Sequence, residues 1–333
     1  MPQQTPIAVL GAGSWGTALA LHLARNHNRV RLWGRDKAQM NRMQLSRCNA
    51  RYLPDIAFPD NVFASADLQQ TLEGVRDVLV SVPSHAFRAT LQAMKPLVHK
   101  DIRLVWATKG FEHGAQALLS TVAIDELGSD TPFAILSGPS FAKELAAGLP
   151  TAITLATTFD AFRQDMVIRF HNDKFRVYQS NDVIGVQVGG AVKNILAVGA
   201  GMCDGLGYGA NARTALITRG LAEMMRLGVA LGGKTETFYG MAGLGDLILT
   251  CTDNQSRNRR FGLALGQGKS AEQAQRDIGQ VVEAAANAGE VWQLALDHQI
   301  EMPITEQIYR ILHQGVSPVE AAKELLSRAS RSE

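Results

Sequence analysis

The 333-residue chain has little of several features that mark common classes of protein. Its three cysteines (Cys48, Cys203 and Cys251) are too few and too scattered for a disulfide framework, and their spacing matches no zinc site. No stretch reaches the ~18 consecutive apolar residues of a membrane span, and the first residues lack the basic and apolar regions of a signal peptide. We therefore expect a protein of the reducing cytoplasm, with no membrane span and no metal.

The net charge and the aromatic content are both lower than is usual for a nucleic-acid-binding protein. The chain has 33 basic and 31 acidic residues, a formal net charge of +2, and only 6% aromatic residues. A nucleic-acid-binding surface usually carries a strong basic field or an aromatic platform, so we expect no nucleic-acid partner. Glycine, in contrast, is frequent at 31 residues, and it serves where backbone approaches another group closely.

The order of apolar patterns predicts an α/β protein with two domains. In residues 1–181, short strand-like runs alternate with amphipathic helical segments, which is typical of a Rossmann-type parallel sheet covered by helices. In residues 182–333 the strand signal disappears and helical periodicity continues to the end. We predict an N-terminal dinucleotide-binding domain over 1–181 and an all-helical substrate-binding domain over 182–333. The predicted strands are Ile7–Leu10, Val30–Trp33, Val78–Val82, Leu104–Ala107, Ala134–Leu136 and Ala152–Ala156.

A glycine-rich turn links the first predicted strand to the first predicted helix. In this turn Gly11 permits a tight bend, Gly13 lets the backbone approach a pyrophosphate, and Gly16 lets the helix pack closely on the strand. The N–H groups of Ser14 and Trp15 would then face the phosphates at a helix N-terminus. A purely structural turn is the alternative, but the strand–turn–helix context favours a dinucleotide site.

The end of the second predicted strand bears on nucleotide preference. An acidic residue at this end usually binds the ribose 2′-hydroxyl of NAD, whereas Arg35 suits the 2′-phosphate of NADP. Asp36, the next residue, keeps NAD open. The sequence therefore favours NADP(H) over NAD(H) without excluding either, and Arg35 could also be a solvated loop residue.

Lys193 lies in a predicted helix whose positions three and four residues away are Gly189, Gly190, Leu196 and Ala197. The lysine should thus be buried, and a buried ammonium needs a partner or loses its proton. Because desolvation lowers the pKa of a lysine, such a residue suits acid–base chemistry. We expect the glycines to leave room for a substrate; a lysine that extends to the surface is the alternative.

Several other residues are candidates for binding a small anion. Asp246 could pair with Lys193 or cap a helix, and Lys109 follows a predicted strand at the edge where ligands of such sheets bind. The segment 254–260 holds three arginines among short polar residues, which suits a phosphate group or forms a solvated turn. The turn 138–142 could add backbone donors.

Six sequence blocks together resemble one family. They are GAGSWG, VPSH, ATKG, SGPSFAKELAAGLPTA, GGAVKN and GMAGLGDLILTCTDNQSRNRRFG, and their order resembles that of bacterial NAD(P)-dependent glycerol-3-phosphate dehydrogenases over nearly the whole chain. The resemblance implies that Lys193 is the proton donor and acceptor. It implies substrate contacts at Lys109, Gly138, Ser140, Lys193, Asp246, Ser256, Arg257 and Asn258. It implies cofactor contacts at Gly11, Gly13, Ser14, Trp15, Gly16, Arg35, Lys109, Ala142, Arg257, Val281 and Glu283.

The resemblance implies reversible hydride transfer between NAD(P)H and dihydroxyacetone phosphate, giving sn-glycerol 3-phosphate for phospholipid synthesis. A β-hydroxyacid or 6-phosphogluconate-type dehydrogenase shares the glycine turn and a helical domain, but the arginines favour a small phosphate. A nucleotide sensor would need no acid, so Lys193, Lys109 and Asp246 together argue against it. Chains of this kind often pair as homodimers, although no pattern here marks an interface.

Overall fold

The computed structural model describes residues 5–329. These residues form two compact units, which we treat separately. The first contains the chain up to Lys109 together with Leu119–Val183, and the second contains Gly110–Leu118 and the chain from Ile184 onward. The segment Gly110–Leu118 thus groups with the second unit although it lies within the first half of the sequence. Whether 1–181 and 182–333 are domains that fold independently stays a prediction.

The first unit is built on an eight-stranded sheet with the order β10-β9-β8-β7-β6-β1-β2-β5. A separate two-stranded antiparallel pair is formed by β3 and β4. The strands are β1 Ile7–Leu10, β2 Val30–Trp33, β3 Cys48–Asn49, β4 Leu53–Ala57, β5 Val62–Ser65, β6 Asp77–Val80, β7 Arg103–Trp106, β8 Phe133–Ser137, β9 Thr151–Ala156 and β10 Phe175–Ser180.

Parallel pairing dominates the large sheet. The strand β1 pairs in parallel with β2 and β6, so that Ile7 lies opposite both Val30 and Asp77. The one change of direction lies between β8 and β9, which pair antiparallel, while β10 is parallel to β9. The strands β1, β6 and β7 are buried along their whole length, which explains their nearly continuous apolar sequences.

Helices connect most of the strands of the first unit. The strand β1 leads through the glycine turn directly into α1. The helices are α1 Ser14–Arg25, α2 Lys37–Ser46, α3 Leu68–Leu72, α4 Phe87–Met94, α5 Leu119–Leu127, α6 Ala142–Ala146 and α7 Asp160–Phe170.

The second unit is helical, apart from an isolated β-bridge between Phe111 and Leu118 within its described residues. The predicted fold class, a parallel sheet followed by a helical part, is therefore confirmed. A π-helical turn, Met241–Gly245, precedes α11. The helices are α8 Val183–Gly205, α9 Gly209–Ala230, α10 Thr235–Tyr239, α11 Asp246–Thr252, α12 Arg257–Gly266, α13 Ala271–Ile278, α14 Glu283–Asp297, α15 Pro303–Gln314 and α16 Pro318–Leu326.

The helix α8 forms the centre of this unit. It is long and apolar enough to cross a membrane, but 89% of its most apolar 18-residue window is buried within the protein, as in a core helix. Its side chains Val192, Ile195 and Leu196 belong to the hydrophobic core, with Phe111 and Phe238. Lys193 is therefore presented from the most buried helix of the unit.

Candidate functional site

The three glycines of the turn Gly11–Gly16 differ in why glycine is needed at each position. Gly11 has φ +120°, and a Cβ there would lie 2.4 Å from the carbonyl oxygen of Ser81. A Cβ on Gly16 would lie 1.9 Å from the carbonyl oxygen of Gly11, so α1 can begin this close to β1 only with glycine. Gly13 differs, because a Cβ there would meet nothing within 4 Å. The space beside Gly13 is thus not needed for packing of the described protein.

Two further observations fit a dinucleotide at this turn. Gly13 is the N-cap of the 12-residue helix α1 and has no side chain to cap the first N–H groups, which include those of Ser14 and Trp15. The indole Nε1 of Trp15 is buried and has no hydrogen-bond partner among residues 5–329. An open cradle with uncapped donors suits a pyrophosphate, so these residues fit the expected cofactor.

Arg35 follows β2 and is exposed, with no hydrogen bond or ion pair to any described part of the chain. Its neighbour Asp36 is the N-cap of α2, where its Oδ1 accepts a hydrogen bond from the backbone N–H of Gln39 at 2.9 Å. The Arg35 guanidinium is thus available to a ligand, whereas the Asp36 carboxylate already accepts a hydrogen bond from the first turn of α2.

The remaining candidates of the first unit lie after strands of the large sheet. Lys109 is half-buried and follows β7. Gly138 directly follows β8 with φ +145°, a backbone conformation that favours glycine, and the Ser140 hydroxyl donates to its carbonyl oxygen at 2.9 Å. Ala142 begins α6.

Lys193 is buried in the second unit, as its helical neighbours predict, with 6% of its surface exposed. Its Nζ donates to Asp246 Oδ1 at 2.5 Å and to the hydroxyl of Thr250 at 2.9 Å. Asp246 and Thr250 lie one turn apart on α11, and the Thr250 hydroxyl donates to the Asp246 carbonyl oxygen at 2.6 Å. Asp246 is the first residue of α11 and Gly245 is its N-cap, so the capping interpretation of Asp246 is wrong.

The expectation that Gly189 leaves room for a substrate is also wrong. A Cβ at Gly189 would lie 2.5 Å from the carbonyl oxygen of Ala242, so backbone of the π-helical turn already fills this space. The glycine instead lets α8 approach the turn closely. This close approach places Asp246, which directly follows the turn, within reach of Lys193.

Next to Lys193 along α8, Asn194 belongs to a chain of buried hydrogen bonds. Its Nδ2 donates to Glu283 Oε2 at 3.0 Å, and its Oδ1 accepts from Asn258 Nδ2 at 2.9 Å. Asn258 Oδ1 in turn accepts from the backbone N–H of Ala284 at 3.2 Å. The chain thus joins a predicted substrate residue, Asn258, to a predicted cofactor residue, Glu283. Val281, two residues before Glu283, is 43% exposed.

The three arginines of segment 254–260 have different surroundings. Arg257 is half-buried at the start of α12, and its Nη1 donates to Gln280 Oε1 at 3.1 Å. Arg259 is buried and is occupied by the Cys251 carbonyl oxygen, Asn254 and the carboxylate of Asp204. Arg260 is exposed. Of the three, Arg259 is therefore structural, which corrects the prediction that the three arginines of this segment together suit a phosphate group.

Ser256 is the N-cap of α12, and its hydroxyl accepts from the backbone N–H of Arg259 at 3.2 Å. The serine thus orders the start of the helix on which Arg257 and Asn258 lie. Because a hydroxyl keeps its own hydrogen when it accepts, Ser256 retains a donor.

Sequence reasoning missed Thr250 and Asn194. Thr250 lies four residues after Asp246, a helical spacing that could have identified it once Asp246 was placed. Next to Thr250, burial raises the pKa of the Cys251 thiol to about 12, so this thiol stays neutral and adds no charge near the lysine. Within residues 5–329, no group of three or more His, Cys, Asp or Glu residues is placed to hold a metal ion.

Comparison with known proteins gives matches along both halves of the chain. Residues 6–162 match the family described as NAD-dependent glycerol-3-phosphate dehydrogenase N-terminus, and residues 182–323 match its C-terminus. A glycerol-3-phosphate dehydrogenase (NAD(P)+) of Photobacterium profundum is 58% identical over 98% of this chain and 97% of its own. The corresponding protein of Shewanella frigidimarina is 59% identical over 100% of this chain and 99% of its own.

A solved structure agrees with these sequence matches. The crystal structure of glycerol-3-phosphate dehydrogenase from Coxiella burnetii has 53% sequence identity and a TM-score of 0.96, and the match covers 98% of this chain and 100% of that one. Together with the family models, it confirms the resemblance of the six sequence blocks. The chain belongs to the NAD-dependent glycerol-3-phosphate dehydrogenase family.

Proposed function

We propose that this chain catalyses the reversible, NAD(P)-dependent reduction of dihydroxyacetone phosphate to sn-glycerol 3-phosphate. The observation that carries the proposal is the buried Lys193, whose Nζ is held by Asp246 and Thr250. A buried lysine fixed in this way is a positioned acid, which the reduction of a ketone requires. Family membership supplies the substrate.

The proposed chemistry divides between cofactor and protein. A bound nicotinamide supplies or accepts the hydride at C2 of the substrate. In the direction of reduction, Lys193 Nζ gives a proton to the C2 oxygen as negative charge develops there, and in oxidation it accepts that proton. Asp246 keeps the ammonium in place and stabilises its charge between turnovers.

Substrate binding is proposed to use groups away from the reacting carbon. Ser256, Arg257 and Asn258 would bind the phosphate, because they offer a hydroxyl, a guanidinium and an amide within one turn of α12. Lys109, Gly138 and Ser140 would bind the rest of the substrate. Interactions with the phosphate would orient C2 for reaction, since binding energy from a remote group can be used for orientation.

For the cofactor, we propose that the turn Gly11–Gly16 binds the pyrophosphate, with Ser14 and Trp15 as donors. Arg35 would bind the adenosine 2′-phosphate, which supports a preference for NADP(H), because its guanidinium is exposed while Asp36 caps α2. Lys109, Ala142, Arg257, Val281 and Glu283 complete the proposed cofactor contacts.

The test is the change in NADPH absorbance when purified protein is mixed with dihydroxyacetone phosphate. We expect rapid oxidation of NADPH with this substrate, and slow oxidation with dihydroxyacetone, which lacks the phosphate, and with 3-oxo acids. Reduction of 3-oxo acids would instead support a β-hydroxyacid dehydrogenase. NADPH binding without turnover of any of these compounds would support a nucleotide sensor.

We also propose that the protein acts in the cytoplasm, where its product would be used for phospholipid synthesis. The homodimer suggested by the resemblance stays a prediction. Light scattering during gel filtration at micromolar concentration tests it, and a mass near 36.0 kDa, that of one chain, would contradict it.

A further inference from the structure

Asn287 on α14 makes an unusual set of contacts with the segment Gly110–Leu118, which belongs to the same unit. Its Oδ1 accepts a hydrogen bond from the backbone N–H of Phe111 at 3.0 Å. Its Nδ2 donates to the carbonyl oxygen of Glu283 at 3.0 Å. The second bond fixes the orientation of the amide, so that Oδ1 faces Phe111. Only 2% of the surface of Asn287 is exposed.

The backbone of Gly110 is shaped to this side chain. Gly110 has φ +128°, which favours glycine, and a Cβ at this position would lie 2.6 Å from Asn287 Oδ1 and 2.7 Å from Nδ2. Phe111 is 1% exposed and lies in the core of the second unit. Gly110 is therefore fixed by close packing on the Asn287 amide, and Phe111 is fixed by a hydrogen bond and by its buried ring.

We propose that Asn287 is a positioning residue for the reaction, which acts by fixing the backbone of Gly110 and Phe111, the two residues that directly follow Lys109 in the chain. The inference rests on the proposed function, in which Lys109 binds the substrate. Lys109 lies outside β7, so the position of its backbone depends on how Gly110 and Phe111 are held. A displacement of ~1 Å in a substrate-binding group can lower a rate by ~100-fold.

The same segment has a second attachment, which offers a matched control. His113 Nδ1 donates to Glu290 Oε1 at 2.5 Å, one turn further along α14. This pair holds the segment to the same helix at His113, two residues beyond Phe111. His113→Ala should therefore weaken the attachment of the segment without moving the backbone next to Lys109.

The experiment compares Asn287→Ala, Asn287→Asp and His113→Ala by steady-state kinetics, NADPH binding and thermal unfolding. Asn287→Ala removes the acceptor for the Phe111 N–H, and we expect kcat/KM for dihydroxyacetone phosphate to fall ~10–100-fold. The Kd for NADPH should rise by a smaller factor, because Lys109 is also a proposed cofactor contact. Asn287→Asp keeps an oxygen facing Phe111 but places its other oxygen against the Glu283 carbonyl oxygen, so it should recover only part of that loss. His113→Ala should lower Tm and leave kcat/KM unchanged.

A double-variant cycle adds a second readout. Gly110→Ala places a methyl group against the Asn287 amide, so its effect on kcat/KM should be smaller when Asn287 is already alanine. Wild-type kcat/KM in Asn287→Ala would overturn the inference, and so would an equal loss in His113→Ala. A wild-type protein that fails to reduce dihydroxyacetone phosphate would instead overturn the proposed function and, with it, this role of Asn287.

Discussion

The burial of Lys193 shows how a charge is kept inside the second unit. A single buried ammonium would cost several kcal/mol, in order of magnitude, but Asp246 supplies the opposite charge and Thr250 a second acceptor. Thr250 is itself oriented by the Asp246 carbonyl oxygen. The lysine is therefore fixed in position, and its removal affects two properties, activity and stability, that can be measured separately.

We predict that Lys193→Met abolishes turnover and also destabilises the protein. Removing one partner of a buried pair leaves Asp246 uncompensated, which costs ~3–5 kcal/mol of unfolding free energy. Lys193→Met/Asp246→Asn removes both charges and should recover much of that stability while staying inactive. Urea denaturation and the NADPH assay measure the two effects, with NADPH binding as the check on folding. Substantial turnover in the stable double variant would contradict the role of Lys193 as proton donor.

Arg257 and Arg260 provide a matched pair for the proposed phosphate site. Arg257→Ala should raise KM for dihydroxyacetone phosphate ~10–100-fold, because a charge-assisted hydrogen bond contributes ~1.5–3 kcal/mol. Arg260→Ala removes the same charge from the same helix at an exposed position and should leave KM unchanged. Equal effects in the two variants would mean that the general positive field, rather than a contact of Arg257, attracts the substrate.

For individual residues, the sequence predicted the features that depend on helical spacing and missed those that depend on tertiary contacts. The burial of Lys193 followed from the residues three and four positions away on α8. The opposite roles of Arg257 and Arg259 could not be predicted, because they depend on Asp204 and Gln280, which are distant in sequence. Asn287 carries no motif at all, and its contacts with segment Gly110–Leu118 appear only in the structure.

At the scale of elements, the glycine turn combines a structural and a functional requirement. Gly16 is required by packing of α1 on the turn, whereas the space at Gly13 is open in the protein itself. Gly16→Ala should therefore lower the unfolding free energy by ~1–3 kcal/mol or more. Gly13→Ala should leave Tm near that of the wild type and weaken NADPH binding ~10-fold or more, since each tenfold is ~1.4 kcal/mol. Unchanged NADPH affinity in Gly13→Ala would contradict the proposed pyrophosphate site.

Element boundaries were predicted best where glycine, proline or a cap determines them. Ser317-Pro318 predicts a helix start, because proline suits the first helical position, and Ser317 is indeed the N-cap of α16 with Pro318 as its first residue. The helical pattern over Ser270–Ala288 predicts a single helix, but Gly279 takes φ +63° and ends α13 before α14 begins. The strand β10 was missed, since its alternating polar residues leave a weak apolar signal at the sheet edge.

The packing of α1 on β10 and α7 predicts a dependence of stability on pH. His22 on α1 is buried, its ring lies 4.1 Å from that of Phe175, and its Nε2 donates to the Phe170 carbonyl oxygen at 2.6 Å. Burial lowers the pKa of His22 from 6.5 to about 4. The folded protein thus keeps this ring neutral between pH 6.5 and 4, where the unfolded chain binds a proton.

Since the pKa in the folded state is the lower one, the contribution of His22 is fully present above pH 6.5 and is lost as pH falls towards 4. The difference of about 2.5 between the two pKa values of His22 corresponds to ~3 kcal/mol of unfolding free energy. We predict that His22→Gln, which keeps a donor for Phe170, loses ~3 kcal/mol less than the wild type between pH 7 and 4. Urea denaturation, together with hydrogen exchange of the backbone amides of β10, measures this difference. The same pH dependence of the unfolding free energy in the two proteins would contradict a buried His22 ring that stays neutral.

For the whole molecule, the sequence determined the division into a sheet-containing and a helical part. The last predicted strand is Ala152–Ala156, and β10 (Phe175–Ser180), which was not predicted, is the last strand before the helices of the second unit. The assignment of Gly110–Leu118 to the helical unit could not be predicted, because it depends on one phenylalanine and two hydrogen-bonding side chains. Local patterns carry no information about such long-range contacts.

Nucleotide preference should be visible in the stability of the whole chain. A ligand that binds only the folded state stabilises it by ~2.7 kcal/mol at a concentration of ~100 times its Kd. If Arg35 binds a 2′-phosphate, NADPH should raise Tm more than NADH at the same concentration. A tenfold difference in affinity corresponds to ~1.4 kcal/mol of this stabilisation.

Arg35→Gln should remove the difference between the two nucleotides by weakening NADPH alone, because NADH has no phosphate at that position. Thermal unfolding followed by circular dichroism, with a titration of each nucleotide, measures both shifts. Lys37→Gln is the matched control, since Lys37 is another exposed cation at the same end of β2 and carries no proposed role. A larger NADPH shift that persists in Arg35→Gln would assign the preference to other residues, and equal shifts in the wild type would show that the chain uses both nucleotides alike.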